Sequence, residues 1–173
     1  MKTVIVSIDP GKVGGIAVSY PDMEVQAVKM PTTLRDIWDQ LAVIACEEYP
    51  TATIRVYMEK VGTYMPGNSG PSAATFAEHV GALKMALTGL KYSYVLVLPT
   101  KWQTAFIGKQ TYPKIPKEVQ GKERKTILAH RKQERKNKIK ARAQELYPHL
   151  NVTLLTSDAI GILHYGLGEE AAC

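Results

Sequence analysis

Ser7-Ile8-Asp9-Pro10-Gly11-Lys12-Val13-Gly14-Gly15-Ile16-Ala17-Val18, SIDPGKVGGIAV, sets a carboxylate at the end of one apolar run and starts a second after a glycine-rich turn. Residues 2–8 (KTVIVSI) and 14–20 (GGIAVSY) are apolar and rich in β-branched side chains, and Pro10, Gly11, Gly14 and Gly15 supply turn chemistry between them, so the stretch predicts a hairpin. EVQAVKM at 24–30 alternates polar and apolar residues and extends the hairpin to a three-strand antiparallel meander. Asp9 then has two readings: a turn residue between strands, or a metal ligand at a strand end.

Downstream the period changes. Leu34, Ile37, Trp38, Leu41, Ile44 and Ala45 recur at helical spacing, Thr33 with Asp36 resembles a capping box, and Pro50 stops the segment. TIRVYME at 53–59 is a strand with Glu59 at its carboxyl end. Residues 60–71 form a Gly/Pro-rich loop, followed by a helix with Ser72 as cap and Phe76, Val80, Leu83 and Leu87 on its buried stripe. YVLVL at 94–98 reads as a fifth strand covered on both faces and closed by Pro99, with Trp102 packed beneath its exit. After a Lys/Pro-rich connector comes a long basic helix from about Gly121 to Tyr147, with a thin apolar stripe (Ile127, Leu128, Ile139, Ala143, Leu146), and then a last helix from Ser157 to about Leu167 carrying Asp158 in its first turn. The order βββαβαβαα predicts an α/β fold with a mixed five-stranded sheet. Right-handed crossovers place strand 53–59 beside strand 2–8 and bring Asp9 and Glu59 to one sheet edge, where open α/β sheets bind ligands.

A length of 173 residues suits a single domain spanning 1–173. The start MKTVIVSID meets Asp9 before a signal-peptide core could form, and no window is apolar for long enough to span a membrane, so a cytoplasmic protein is expected. Cys46 and Cys173 offer neither a disulfide framework nor a CxxC site. Charge is distributed unevenly: residues 108–140 hold twelve Lys or Arg against three Glu, a local +9, whereas the remaining ten basic and thirteen acidic residues give −3. A basic block on a mildly acidic body suits a polyphosphate ligand, although a solvated helix face would look the same in sequence.

Two carboxylates at neighbouring strand ends repel unless they are protonated or share a cation. Mg²⁺ takes oxygen ligands, commonly one or two carboxylates with waters and phosphate oxygens, and Asp158 would add a third carboxylate. Metal ions so held can activate water for phosphodiester hydrolysis.

Four ordered blocks, IDPGKVGGIAV, YMEKVGTYMPGNSGPSAATFAEHVGAL, LVLPTKWQ and SDAIGILHYG, together spanning most of residues 4–167, resemble the RuvC-type Holliday junction resolvases of the RNase H-like superfamily, in particular the bacteriophage and prophage proteins. The resemblance implies an RNase H-like fold, dependence on Mg²⁺ (with Mn²⁺ substituting), a homodimer, and paired nicking of four-way DNA junctions in a bacterial or phage-infected cell. It matches Asp9 to the aspartate bridging two metals, Glu59 to a strand-end ligand and Asp158 to the ligand of the last helix. The chain departs from the pattern where resolvases carry a further acid or histidine about three residues before that aspartate: Leu154, Leu155 and Thr156 stand there. His164 does not replace it, because six residues from Asp158 at about 100° each leave it roughly 120° away around the helix.

Tyr64 and Met65 are the candidates for a wedge that opens the junction, a device known in DNA-distorting proteins. Lys12, Lys60 and Lys101 flank the acidic site as candidate phosphate contacts, and Lys132, Arg135, Lys136 and Lys138 are the candidates on the basic helix. Competing readings are a junction-binding module that does not cut, and a nuclease for forks, flaps or RNA. An actin-like ATPase, similar at DPGKVGG, needs a second phosphate loop and a duplicated domain, for which 173 residues leave no room.

Overall fold

The alternation along the first strand divides the molecule. In the computed structural model, which describes residues 2–45, 51–62 and 70–172, β1 (Thr3–Asp9) sends Val4, Val6 and Ile8 into one core and Ile5 into another. Period two is the geometry of a strand, and both faces are apolar because both are covered. β1 pairs antiparallel with β2 (Gly15–Ser19), which pairs antiparallel with β3 (Gln26–Lys29). The expected meander is therefore present, its second and third strands shorter than the sequence pattern.

On the other side β1 pairs in parallel with β4 (Thr53–Glu59), and β4 in parallel with β5 (Ser93–Val97), giving the order β3-β2-β1-β4-β5. The mixed five-stranded sheet agrees with expectation. Between these strands lie α1 (Leu34–Ala42) and α2 (Gly70–Gly89), whose Ile37, Leu41, Leu83 and Leu87 join Val4, Val6, Ile8, Val56 and Met58 in the first core. The Thr33 cap is real: its Oγ1 accepts from the Asp36 backbone N–H at 3.1 Å. The opposite face carries α3 (Pro99–Ile107), α4 (Gly121–Leu146) and α5 (Ser157–Ala171), with Trp102, Phe106, Ile139, Ala143 and Ile160 in the second core.

Several expectations need correcting. Pro99 does not merely close a strand: it occupies the first position of α3, where its missing N–H costs nothing and its fixed φ suits a helix. Trp102 is therefore a helix residue. The run 94–98 is not covered on both faces, since β5 is an edge strand with Tyr94, Val95 and Leu96 all at least one third exposed. α1 ends at Ala42, so Ile44 reaches the core from a turn, and α2 begins at Gly70 rather than after a cap at Ser72. Of the stripe on α4 only Ile139 and Ala143 are buried, while Leu128 is 48% exposed. The amino-terminal half of that helix is not held by a core.

Glycines in the opening stretch are dictated by close approach. A Cβ on Gly14 would lie 2.0 Å from the Asp9 carbonyl oxygen and 3.2 Å from its carboxylate, and one on Gly15 would lie 2.7 Å from the Leu155 carbonyl oxygen. The first glycine lets the turn fold back on Asp9, and the second lets the segment leading into α5 cross β2. Gly14→Ala is expected to cost at least about 2 kcal/mol, because backbone and not a flexible side chain must move. A fall in melting temperature of about 4 °C or more in a calorimetric scan is the check.

Candidate active site

Asp9 and Glu59 sit at the carboxyl ends of adjacent parallel strands, one residue beyond the Ile8–Met58 pair. Alternation from Ile5 and Tyr57, both in the second core, turns both carboxylates toward α5. There α5 is fastened to the sheet at both ends. Ser7 Oγ, fully buried on β1, donates to the Ala159 carbonyl at 2.6 Å, and Tyr57 Oη donates to Glu170 Oε1 at 2.6 Å. These contacts set Asp158, in the first turn, beside the two strand ends.

The electrostatics of the three carboxylates fit that placement. Burial lifts the Asp9 carboxyl well above its usual range, and Asp158 and then Glu59 lift it further while Lys136 opposes. Glu59 is raised by burial and by Asp158, against the Trp102 hydrogen bond and the charges of Arg135 and Lys136. Asp158 is raised by burial, with Lys136, Arg135 and Lys132 pulling the other way. Acids raised by burial, two of them also by a neighbouring acid, mark a site short of positive charge. The Asp158 Oδ1 atom is buried with no hydrogen-bond partner, as an oxygen reserved for a cation would be. The donor set is all oxygen, which suits Mg²⁺ or Mn²⁺.

The site is loose. Among the described residues no three acidic, histidine or cysteine side chains converge closely enough to hold an ion, and one Glu59 oxygen accepts the Trp102 Nε1–H at 3.0 Å. Trp102 is completely buried, and Gly161 gives it room, since a Cβ there would lie 2.6 Å from the indole. Trp102→Phe keeps an aromatic ring but loses the indole N–H and so frees Glu59. The expected result is a loss of about 1.5–3 kcal/mol in stability, for a hydrogen bond to a charged group, with several-fold more Mg²⁺ needed for half-maximal stabilisation in a thermal-shift titration.

The basic residues separate into distinct groups. Lys132, Arg135 and Lys136 lie on the side of α4 that continues the buried positions Ile139 and Ala143, and they act on the carboxylates. Lys138 points elsewhere, to Glu134 Oε1 at 3.0 Å and Gln110 Oε1 at 3.1 Å. Lys60 is exposed on the far side of Glu59, beside a groove of about 380 Å³ between α2 and the β4 and β5 ends, which Phe76, Val80 and Lys84 also line. Lys12 borders a different cavity, with His79 and Thr75, and Lys101 is exposed in the first turn of α3. Tyr64 and Met65 lie outside the described residues. His164 bonds through Nδ1 to Tyr147 Oη at 3.1 Å and packs on Phe106, apart from the acids, as its helical offset requires.

Ser7 and Trp102 were the functional residues that sequence reasoning missed. Ser7 bonds a residue 152 positions away, and no local signal could have indicated it. A serine in an otherwise apolar strand was the available hint.

No family model matches the chain, and no curated protein matches it. Solved structures do. RuvC from Thermus thermophilus aligns over 98% of this chain and 97% of its own, at 14% identity and a TM-score of 0.50. The chain has the RuvC fold. T. thermophilus RuvC in complex with a Holliday junction substrate aligns over 97% of this chain and 96% of its own, at 12% identity and a TM-score of 0.53. The RuvC fold thus accounts for the whole sheet and its flanking helices and not for one motif. Among the described residues no helix is long and apolar enough to cross a membrane.

Proposed function

We propose that the chain is a Mg²⁺-dependent endonuclease that resolves four-way DNA junctions, working as a homodimer so that two sites can nick strands related by the two-fold symmetry of the substrate. The observation that carries the reading is the site itself: three carboxylates raised by burial, Asp9 further by both of the others, one with a partnerless buried oxygen, beside a row of cations from α4. A phosphodiester brings the negative charge that this row lacks.

Asp9, Glu59 and Asp158 would hold the divalent cation, which when bound supplies a Lewis acid and lowers the pKa of water. Trp102 and Ser7 keep Glu59 and the start of α5 in place. Lys132, Arg135 and Lys136 neutralise phosphate, and this sequence-independent contribution dominates affinity. Lys12, Lys60, Lys101 and Lys138 are candidates for contact with further arms, and Tyr64 and Met65 for a wedge between them. In the net reaction water adds to phosphorus and one P–O ester bond breaks, leaving a phosphate monoester and a hydroxyl.

A second reading, a junction-binding protein that does not cut, is favoured by Leu155 standing where resolvases place a further ligand and by the absence of a preformed cage among the described residues. A panel of labelled four-way junction, fork, flap, linear duplex and RNA–DNA hybrid tests both. Cutting of the four-way junction at least tenfold faster than of the other substrates is expected. Faster cutting of forks, flaps or the hybrid would move the substrate assignment, and tight binding of the junction with no cutting of any substrate would favour the second reading.

A further inference from the structure

A cavity of about 180 Å³ lies beside the first core, between α1, α2 and the turn after β1, on the face of the sheet opposite the three acids. His79, on α2, lines it and is only 8% exposed, and neither of its ring nitrogens has a hydrogen-bond partner among the described residues. Buried polar groups are ordinarily paired, because leaving one unmade costs its full desolvation. Two partnerless nitrogens at the wall of a cavity call for a ligand that hydrogen-bonds to them.

The rest of the lining gives the sign of that ligand. Lys12, from the turn, is near enough for its charge to bear on His79. Phe76 of α2 seats the turn there, since a Cβ on Gly11 would lie 3.2 Å from its ring. Leu34 is the first residue of α1, so the amino end of that helix meets the cavity. The first N–H groups of a helix have no partner within it and together carry about half a positive charge, and Thr33 Oγ1 takes the one at Asp36. The Asp36 carboxylate is not part of the lining. Glu78 is the opposing group, but it is exposed, so solvent screens it. One ammonium, one helix amino end and one chargeable imidazole against a screened carboxylate leave the balance positive.

We propose that this cavity is a phosphate subsite, in which Lys12, the amino end of α1 and His79 hold the oxygens of a free phosphate ion or of a phosphate group on a nucleic-acid strand. The inference does not rest on the nuclease reading. A tetrahedral oxyanion accepts from an ammonium, from backbone N–H groups and from an imidazole at once, and each such bond is charge-assisted. Burial and the Lys12 charge keep His79 neutral, with Glu78 pulling the other way. An arriving anion favours the charged ring, so His79 is expected to take up a proton as the subsite fills.

Proton NMR of the histidine rings of the full chain, at pH 7 without divalent ions, reads this directly. Added inorganic phosphate is expected to move the His79 signals saturably toward imidazolium positions, with half-saturation at millimolar concentration or below, while those of His149 and His164 stay in place. Sodium chloride at matched ionic strength should not reproduce the movement. Lys12→Met should weaken the response about tenfold, the size of one charge-assisted hydrogen bond. A 5′-phosphorylated oligonucleotide and the same strand without its terminal phosphate separate the sources: a response to the first strand alone marks a strand end, a response to both marks backbone phosphate, and a response to inorganic phosphate but to neither strand marks the free ion. His79 signals that stay in place with all three probes, that move equally with chloride, or that respond undiminished in Lys12→Met would overturn the proposal.

Discussion

Asp9→Asn is expected to abolish junction cutting, by roughly 10³-fold or more, while leaving metal-free junction binding within about threefold of wild type. A bound cation contributes several kcal/mol to a phosphoryl-transfer barrier, and each 1.36 kcal/mol is a factor of about ten. Asp9 is the carboxylate raised by both of the others, so its charge is the one a cation shared among the three would need most. The same substitution should stabilise the metal-free protein. A carboxyl whose folded pKa lies above its unfolded value favours folding only at low pH, and that contribution is lost as pH rises through the folded value. At neutral pH the buried Asp9 carboxyl, raised by burial and by both other acids, therefore opposes folding, and asparagine removes that opposition. Calorimetry in EDTA at neutral pH should give a higher melting temperature for Asp9→Asn than for wild type, with the gain shrinking as pH falls. An equal or lower melting temperature would mean that the three acids do not strain one another.

Replacing Lys132, Arg135 and Lys136 together by Gln should weaken junction binding by about 10²–10³-fold at 0.1 M salt and reduce the slope of log affinity against log salt by about two to three. Each residue is expected to neutralise one phosphate, and releasing one counterion per phosphate sets both numbers. The face of α4 makes the prediction specific. Lys138, tied to Glu134 and Gln110, should change the slope by well under one unit when replaced by Gln. Fluorescence anisotropy of a labelled junction between 0.05 and 0.3 M salt, without divalent ions, is sufficient. An unchanged slope in the triple variant would return α4 to an ordinary solvated helix.

Much of this was legible in the residues, for identifiable reasons. The hairpin could be read because Pro10, Gly11, Gly14 and Gly15 punctuate two β-branched runs, and the Asp9–Glu59 juxtaposition follows from the right-handed crossover once β4 is recognised. α3 was hidden because proline both ends strands and starts helices, and only the structure decides between the two at Pro99. The exposure of β5 was hidden for a related reason: a continuous apolar run records hydrophobicity and not which face is covered. Lys136 could be counted in a +9 block but not aimed, since its direction depends on which turn of α4 is buried. Trp102 was placed in the core correctly, while its hydrogen bond to Glu59, across 43 positions, belongs to tertiary structure alone.

Those contacts also explain why α5 carries the third acid so close to the strand ends. Ser7, Gly15 and Tyr57 are sheet residues whose hydroxyls or missing side chain hold α5 and its lead-in down. The acids can then be buried together only because packing, and not their own attraction, places them. A cation that relieves their repulsion is accordingly expected to stabilise the fold as well as enable chemistry.

The central claim is that this carboxylate cluster, once it holds a divalent cation, hydrolyses branched DNA, and cleavage of an end-labelled four-way junction by the full wild-type chain tests it most directly. In Mg²⁺ the account predicts paired nicks yielding two linear duplexes, and in EDTA an intact junction that is still bound. Equal cutting in Mg²⁺ and EDTA, or an intact junction in both Mg²⁺ and Mn²⁺, would contradict it.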